Sequence, residues 1–296
     1  MTTRQFAAEQ ADRLLHGVTA EVTRVIKSPG TPEVHDLRVA IRRFQRVLVV
    51  LKPCFPRSES RRIRRALKRI MVQAGSVRDC DIAIRILSRL RTPESGPTAQ
   101  QFRDRRDDGA KTLSASLQRW AERNLAAAWR RALQREAEAK TASVEVTAKR
   151  ILPRLAAELF QLGRDAVDED ASIHQIHEFR IATKNLRYTV ELFGPIYGTD
   201  LIALTQQFKQ VQAVLGDVND CATVRRMLTR QKVSGQPGGK EILAALKKRQ
   251  RKKTDQFRNE FGPVFADAAT LKQWKAGFKG ALPLKPATSK TANGKR

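Results

Sequence analysis

The chain has 296 residues, and its 57 Lys and Arg outnumber its 30 Asp and Glu to give a formal net charge of +27. Such a surplus costs self-repulsion in the folded state, so we expect a polyanionic partner, with nucleic acid, an anionic membrane and polyphosphate as the candidates. Three widely spaced cysteines, a charged N-terminus and the lack of a long apolar run exclude a disulfide scaffold, a secretory signal and a membrane span, so a soluble cytoplasmic protein is expected.

Good helix formers dominate the chain and strand signals are scarce, which predicts an all-α fold. A first helix ends in KSPGTPE, and a second runs from about Glu33 to Lys52, where prolines follow. A third helix covers about 58–74 and ends at Gly75, and a fourth begins near Asp79.

Helix is also predicted further along the chain. Residues 101–140 form mostly helix, with an interruption near Gly109 or Asn124. Helix resumes over 144–162, where Pro153 predicts either a kink or a late start.

Two pairs of segments in the chain resemble each other. HDLRVAIRR begins at residue 35 and HEFRIATKNLRY at residue 177, and GSVRDCD at residue 75 is matched by GDVNDCA at residue 216. The two separations differ by one residue, as a single loop deletion allows. The economical interpretation is a duplicated helical unit of about 140 residues. Its repeats lie at 1–140 and 141–278, and a basic tail at 279–296 is predicted to be disordered.

The repeated helix has one apolar face and one cationic face. At about 100° per residue, the first copy places its cations within an arc of about 80°, opposite Leu37 and Phe44. In the second copy the polar stripe lies opposite Phe179 and Leu186. The members of the two stripes are His35, Arg38, Arg42 and Arg46 in the first copy, and His177, Arg180, Lys184 and Tyr188, with Arg187 at the edge, in the second.

Further cations cluster on other helices. RRIRRALKRI on the third helix contains no acid and forms a basic stripe beside its apolar seam, whereas the second copy is Gln-rich. KKRQRKK near the C-terminus is another basic run. The candidate site residues from these segments are Arg61, Arg65, Lys68, Lys209 and Lys248.

Each cationic stripe has an alternative explanation as the solvated face of an amphipathic helix. Solvated faces normally mix signs because like charges at i,i+4 repel, whereas these stripes are nearly single-sign and occur twice. His35 and His177 are either packing and capping residues or anion ligands whose protonation a bound polyanion would promote. His174 and His177 have the spacing of metal ligands, but cations surround them and no third ligand is near, so no metal site is predicted.

Catalytic motifs are missing from the sequence, which has no Walker loop, no HExxH and no GxSxG. Asp79 and Asp220 recur in the repeat and are candidate active-site carboxylates. They are better explained as helix N-caps or as partners of neighbouring arginines. The chain is therefore expected not to be an enzyme and to use no cofactor.

The paired motifs resemble the conserved histidine α-helical domain family, called CHAD. Its pattern opens each of two helical repeats with His-x-x-Arg and a basic run, matched here by HDLRVAIRR and HEFRIATKNLRY. Later in each repeat it has Gly-x-x-[Arg/Asn]-Asp, matched by GSVRD and GDVND. The resemblance covers the whole chain except the tail. Two positions depart from the pattern: Gln45 stands where a further Arg is common, and Asn185 where Lys or Arg is frequent.

The resemblance implies two tandem four-helix bundles, related by a pseudo-twofold axis, with basic residues lining a central groove or pore. It also implies non-catalytic binding of inorganic polyphosphate and location at polyphosphate granules. The ligands that it implies by position are His35, Arg38, Arg42, Arg43, Lys68, His177, Arg180, Lys184, Arg187 and Lys209.

The chemistry of polyphosphate agrees with this composition. The polymer has one negative charge per internal unit and no bases, so its binder needs closely spaced cations and no stacking platforms. Aromatic residues make up only 6% of the chain, whereas proteins that bind single-stranded nucleic acid interleave aromatics with cations. The alternatives are a nucleic-acid or nucleoid protein held nonspecifically by backbone phosphates, and an accessory to, or an enzyme of, phosphoanhydride hydrolysis. No membrane partner is predicted.

Overall fold

The computed structural model describes residues 1–90, 95–135, 142–197 and 200–280. Within these ranges the chain forms ten α-helices, two short 3₁₀ turns and no strand, which confirms the all-α class. None of these helices is both long and apolar enough to cross a membrane. The helices are α1 (Thr3–Lys27), α2 (Thr31–Val50), α3 (Arg57–Leu90), α4 (Ser95–Glu122), α5 (Leu125–Gln134), α6 (Val144–Val167), α7 (Ile173–Tyr197), α8 (Asp200–Arg230), α9 (Gly239–Ala266) and α10 (Ala268–Phe278).

The chain divides into two compact units. Unit 1 comprises Met1–Ser143 and Thr223–Ala245, and unit 2 comprises Val144–Ala222 and the residues from Leu246 onward. Helices α8 and α9 therefore each supply residues to both units. The repeat boundaries at residue 140, the four-helix count of each bundle, the pseudo-twofold axis and the central groove stay predictions. The tail from residue 281 lies outside the described residues.

Apolar faces of α1, α2, α3 and α4 pack together in unit 1. Helix α1 begins with a capping box centred on Thr2 and buries Phe6 and Leu15 completely. Helix α2 buries Leu37 and Phe44, the residues predicted opposite its cationic face. Burying one such side chain contributes roughly 1.5–3 kcal/mol. This burial fixes the rotation of α2 about its axis and turns its cations outward.

Helix α3 is one continuous helix of 34 residues, so the predicted end at Gly75 and the predicted start near Asp79 are wrong. Helix α8 likewise runs through Gly216. A glycine in a helix interior costs roughly 1 kcal/mol relative to alanine, and the packing of α3 against α2 and α4 outweighs that cost. Asp79 and Asp220 are therefore interior helical residues, and their interpretation as N-caps is also wrong.

The other predicted interruptions have mixed outcomes. Gly109 lies inside α4, where a Cβ would stand only 3.2 Å from Cγ2 of Val77, so the glycine allows α3 and α4 to approach closely. The break comes at Asn124, whose φ of 46° is left-handed, between α4 and α5. Helix α6 begins at Val144 and continues through Pro153, so the predicted late start is wrong.

An aromatic cluster forms the core of unit 2. Phe265 of α9 packs edge-on against Phe160 of α6 and Phe179 of α7, with ring centroids 5.4 Å and 4.8 Å apart. Trp274 of α10 lies 5.1 Å from Phe160 by the same measure. All four side chains are buried. Because Phe179 points inward, the polar residues on the other side of α7 face outward.

Candidate anion-binding surfaces

The outer surface of α2 in unit 1 carries the first predicted cluster. His35 and Arg43 are exposed, and Arg38, Arg42 and Arg46 are half-buried. Since α2 buries its apolar face in the core, these side chains leave the helix on its outer sides. The structure thus brings the five predicted α2 residues onto the outer surface of one helix.

His35 lies among cations from two helices. Although its side chain is exposed at the surface, the protein atoms around the imidazole partly desolvate it and hold its pKa below the ordinary value of about 6.5. Arg78 of α3, together with Arg42 and Arg38 of α2, lowers the pKa further, and Asp36 opposes them. The imidazole is therefore neutral at pH 7 in the free protein. A bound polyanion would offset the nearby positive charges and raise this pKa.

Arg38 is anchored to the backbone of α3. Its Nη1 donates a hydrogen bond to the carbonyl oxygen of Met71 at 3.1 Å. A Cβ built on Gly75 would stand 3.0 Å from the same Nη1, so the guanidinium lies directly against the glycine. The glycine of the GSVRD motif therefore makes room for the arginine of the HDLR motif. Arg38 joins α2 to α3 and also contributes charge to their shared surface.

The N-terminal half of α3 presents a dense cationic surface. Arg61, Arg65 and Lys68, predicted as a stripe, are exposed, and so are Arg64 and Arg69. No acidic side chain among the described residues forms an ion pair with any of these five. These five cations lie on the helix that packs against α2, on the N-terminal side of the Met71 carbonyl group that holds Arg38.

The second copy of the His motif lies on α7 in unit 2. His177 is exposed, and its Nδ1 is 3.0 Å from Oδ1 of Asn219 on α8. Arg180 and Lys184 are half-buried on the same helix. Asn219 is the fourth residue of GDVND, the position that Arg78 holds in GSVRD. In each unit, therefore, the motif histidine lies beside the fourth residue of the Gly motif on the next long helix.

Arg187 of α7 is largely enclosed, with 14% of its side chain exposed. Its guanidinium lies over the ring of Tyr188 at 4.8 Å, and its Nε is 3.6 Å from Oε1 of Glu191. Tyr188 itself is buried, so its predicted place on the outward polar stripe is wrong. The acid and the ring both take up part of the charge that Arg187 was predicted to offer.

Lys209 on α8 and Lys248 on α9 are both exposed, and neither forms an ion pair with the described residues of the chain. Two other members of the KKRQRKK run are held by one acid on α8. Arg249 Nη2 and Lys253 Nζ lie 3.5 Å and 3.7 Å from Oδ2 of Asp217. The basic run thus divides into an anchored part and an outward part.

The described residues contain no group of three or more His, Cys, Asp and Glu side chains arranged to hold a metal ion. His174 instead contacts Glu178, with Nε2 3.5 Å from Oε1. Cys80 and Cys221 occupy matching positions after the Gly motifs, and burial raises the pKa of both thiols. They pack in the cores of their units as thiols.

Comparisons with known proteins bear on the family. The sequence profile of the CHAD domain matches residues 9–229, well over half of the chain. The chain belongs to the CHAD family. This family is associated with polyphosphate-related proteins. No curated protein matches the chain significantly.

Two solved structures share the CHAD fold of this chain. The crystal structure of the CHAD domain from the plant Ricinus communis has a TM-score of 0.67 at 19% identity, covering 96% of this chain and 93% of the other. PptA from Streptomyces chartreusis has a TM-score of 0.63 at 14% identity, covering 90% of this chain and all of the other. At these identities the likeness concerns the fold.

Each unit therefore contains one copy of the His motif and one copy of the Gly motif. Sequence reasoning missed Arg78, although GSVRD contains it, because only the fold brings it beside His35. It also left Arg64 and Arg69 out of the candidate set, although both lie in the quoted basic run. The predicted residues in unit 1 are His35, Arg38, Arg42, Arg43, Arg46, Arg61, Arg65 and Lys68, and those in unit 2 are His177, Arg180, Lys184, Arg187, Lys209 and Lys248.

Proposed function

We propose that this CHAD chain binds inorganic polyphosphate without catalysis, through the cationic surfaces of its helices, and that this binding locates it at polyphosphate granules. The observation that carries the proposal is the surface formed by α2 and the N-terminal half of α3 in unit 1. There Arg61, Arg64, Arg65, Lys68 and Arg69 are exposed, and none of them has an acidic partner in the described part of the chain. The cations of α2 lie on the neighbouring helix.

The energetics favour occupation of this surface by an anion. Like charges on one helix face repel, so an unneutralised run lowers the stability of the free protein. Each charge-assisted hydrogen bond to a phosphoryl oxygen contributes roughly 1.5–3 kcal/mol. Several such bonds would hold a flexible chain of phosphates tightly, even after the cost of ordering the arginine and lysine side chains.

Inorganic polymer is favoured over nucleic acid because the surfaces lack stacking groups. Among the described residues, no Phe, Trp or Tyr is a largely exposed apolar side chain. Phe179 and Tyr188, the aromatic residues next to Arg180 and Arg187 in sequence, are both buried. Base stacking contributes about 1–3 kcal/mol per base in proteins that bind single strands, and these surfaces offer none of it.

Competition tests the proposal. Labelled long-chain polyphosphate is bound to the protein, and unlabelled polyphosphate or duplex DNA is then added at equal phosphate concentration. We expect polyphosphate to displace the label at concentrations at least tenfold lower than DNA. Displacement by DNA at the same or lower concentration would favour the nucleic-acid hypothesis. Salt titration alone does not separate the two, because both modes release counterions.

The non-catalytic part of the proposal has its own test. Protein is incubated with polyphosphate and Mg²⁺, and released phosphate is measured through successive purification steps. We expect phosphate release per amount of protein to decrease as contaminants are removed, while polyphosphate binding per amount of protein stays constant. Phosphate release that copurifies with the protein at a constant ratio would instead show hydrolysis of the phosphoanhydride bonds.

A further inference from the structure

Helices α4 and α9 bury residues in the same pattern, 144 positions apart. The matching buried pairs are Phe102 and Leu246, Ala110 and Thr254, Leu113 and Phe257, Leu117 and Phe261, and Trp120 and Val264. Constant spacing of buried positions over five turns means that the two helices present equivalent faces to their cores. Their outward positions can therefore be compared one by one.

The outward charges of the two helices differ in sign at equivalent positions. Asp104, Asp107 and Asp108 of α4 correspond to Lys248, Arg251 and Lys252 of α9, and all six are exposed. On α4 the cations are balanced locally, as in the ion pair of Lys111 with Asp108 at 3.7 Å. The α4 surface therefore has the mixed signs that are normal for a solvated helix face.

The outer face of α9 is defined here as Lys247, Lys248, Arg251 and Lys252, which are all exposed. None of the four forms an ion pair with an acid among the described residues. Asp217 of α8 neutralises only Arg249 and Lys253, which lie on the α8 side of the helix. Asp217 therefore compensates charge on the α8 side of the basic run, and the outer face is left without an acidic partner among the described residues.

The spacing within the outer face concentrates its charge. Lys247 and Arg251, like Lys248 and Lys252, are four residues apart and repel each other. All four lie within six consecutive residues, a rise of roughly 8 Å along the helix axis. Three of the four are lysines, whose ammonium groups on flexible stems suit phosphoryl oxygens in varied orientations. The phenylalanines of α9, such as Phe257 and Phe261, are buried and offer no platform for bases.

We propose that the outer face of α9 is a second anion-binding surface, in unit 2, and that its ligand is the phosphate backbone of inorganic polyphosphate. The proposal rests on the proposed function and extends it. Unit 1 binds phosphate mainly through α2 and α3, whereas unit 2 binds it mainly through α9, the helix whose counterpart in unit 1 carries charges of both signs. The repeated helices therefore differ in which of them contacts the polymer.

The experiment compares two variants that lose the same charge from equivalent helices. The test variant carries Lys247→Gln, Lys248→Gln, Arg251→Gln and Lys252→Gln. The control carries the same change to Gln at four exposed cations of α4, namely Arg103, Arg105, Lys111 and Arg119. Binding of long-chain polyphosphate is measured by isothermal titration at several salt concentrations, after wild-type binding and its resistance to duplex DNA have been established.

We expect the test variant to bind polyphosphate roughly tenfold more weakly than wild type, since four exposed contacts are lost. The slope of log K against log salt should become shallower by up to about 3, at about 0.7 per phosphate contact of a single chain. The control should stay within about twofold of wild type with an unchanged slope. Its lower net charge weakens binding only through screened long-range attraction.

Each other result overturns one specific claim. Equal affinities and salt slopes for the two variants would show that the outer face of α9 does not bind polyphosphate, and would leave the proposed function unaffected. A test variant that loses DNA binding but keeps polyphosphate binding would make the outer face of α9 a nucleic-acid surface. Failure of wild type to bind polyphosphate would overturn the proposed function itself. Should the fourfold variant lose its helical circular-dichroism signal, the double variant Lys248→Gln with Lys252→Gln takes its place. This double variant should give about half of the expected change in the slope of log K against log salt. An unchanged slope would contradict the inference.

Discussion

Units 1 and 2 share a helical framework but differ in how they handle charge. In each, a motif histidine on an amphipathic helix lies beside the fourth residue of a Gly motif on a long continuous helix. That residue is Arg78 near His35 in unit 1 and Asn219 bonded to His177 in unit 2. The difference makes the environment of His35 strongly cationic and gives His177 a neutral hydrogen-bond partner.

The same divergence recurs along the long helices. In unit 1 five exposed cations of α3, namely Arg61, Arg64, Arg65, Lys68 and Arg69, have no acidic partner among the described residues, whereas α8 has glutamine at the positions of Arg65 and Arg69. In unit 2, Arg187 is partly neutralised by Glu191. Equivalent positions of the two units are buried in both, and this keeps the two folds alike because apolar packing depends on volume and shape. Outward positions face no such constraint, so their charge was free to diverge.

Asp81 provides the largest expected difference between the units. It is buried in α3, with its Oδ1 3.2 Å from Nε of Arg106 and accepting a hydrogen bond from Thr31 Oγ1 at 2.9 Å. The equivalent residue in unit 2 is Ala222. Asp81→Asn should lower the free energy of unfolding by about 3 kcal/mol, because it removes the buried counter-charge of Arg106 and leaves this largely buried guanidinium only the exposed carboxylate of Asp107, 3.5 Å away. Urea unfolding followed by circular dichroism measures the change.

Asp217→Asn in unit 2 is the matched control for Asp81→Asn. The side chains of Asp217 and its partners Arg249 and Lys253 are 28%, 35% and 29% exposed, so water screens these ion pairs. We expect a loss below about 1 kcal/mol. Equal losses for the two variants would mean that burial of the Asp81 pair does not set its contribution.

A swap of cations between the units tests the charge comparison directly. Arg65→Gln with Arg69→Gln should weaken polyphosphate binding roughly tenfold, and Gln206→Arg with Gln210→Arg at the equivalent positions of α8 should strengthen it severalfold. The combined variant has the net charge of wild type. We expect it to remain weaker than wild type by about threefold or more, because only the unit 1 positions adjoin the cations of α2. Isothermal titration gives all three affinities.

Full recovery of affinity in the combined variant would contradict the comparison. Net charge, and not the α2–α3 surface, would then govern binding. The swap leaves the core unchanged, since all four residues are exposed. The free energy of unfolding of the combined variant, measured by thermal unfolding, should therefore stay within about 0.5 kcal/mol of the wild-type value.

Sequence reasoning found the features that are local to one helix. The 3.6-residue period placed Leu37, Phe44 and Phe179 in the core, and all three are buried. The repeat located both motif histidines because pairs of motifs recur in order. These inferences succeeded because a single helix contains all the information on its own amphipathic face.

Sequence reasoning failed where a residue's role depends on a second helix. Gly75 predicts a helix end by propensity, but here it accommodates Arg38 from α2. Tyr188 belongs to the polar stripe by angle, yet it is buried. The pair of Asp81 with Arg106 joins two helices and has no local signature. Contacts of this kind require the fold, because no periodicity within one helix encodes its neighbours.

The two motif glycines should respond differently to alanine. Gly216→Ala should raise the free energy of unfolding by about 0.5–1 kcal/mol, because no atom beyond the adjacent backbone of its own helix lies within 4 Å of the added Cβ and alanine is the better helix former. At Gly75 the same gain is offset by about 1 kcal/mol, since the Cβ displaces Arg38 from the carbonyl oxygen of Met71. Denaturant unfolding of both variants measures a difference of about 1 kcal/mol.

Polyphosphate binding separates the two glycine variants further. Gly75→Ala moves the Arg38 guanidinium and should weaken binding severalfold, whereas Gly216→Ala should leave it unchanged. If both alanines stabilise the protein equally, the contact between Arg38 and Gly75 does not contribute to the fold, and the role of the first motif glycine must be sought elsewhere.

The smallest expected effect concerns the pKa of His35. Arg78→Asn gives unit 1 the residue that unit 2 has at this position. It removes the second-largest cause of the lowered pKa and leaves the largest, partial burial, in place. The pKa of His35 should therefore rise towards its ordinary value without passing it. Titration of the imidazole resonances by NMR measures the change, with His35→Gln identifying the signal.

The sign of the stability change follows from proton linkage. Because folding lowers the pKa of His35, the unfolded chain binds more protons than the native state below about pH 6.5. The free energy of unfolding of the wild type therefore falls as the pH drops through this window. In Arg78→Asn the free energy of unfolding should fall less over this pH window, and in His35→Gln the part of the fall that comes from His35 should disappear.

A bound polyanion acts in the opposite direction by raising the pKa of His35. Polyphosphate should therefore bind more tightly at pH 5.5 than at pH 7.5, and this gain in affinity should shrink in His35→Gln. An equal gain in wild type and in His35→Gln would show that the proton is taken up elsewhere and that His35 is not near the bound phosphates.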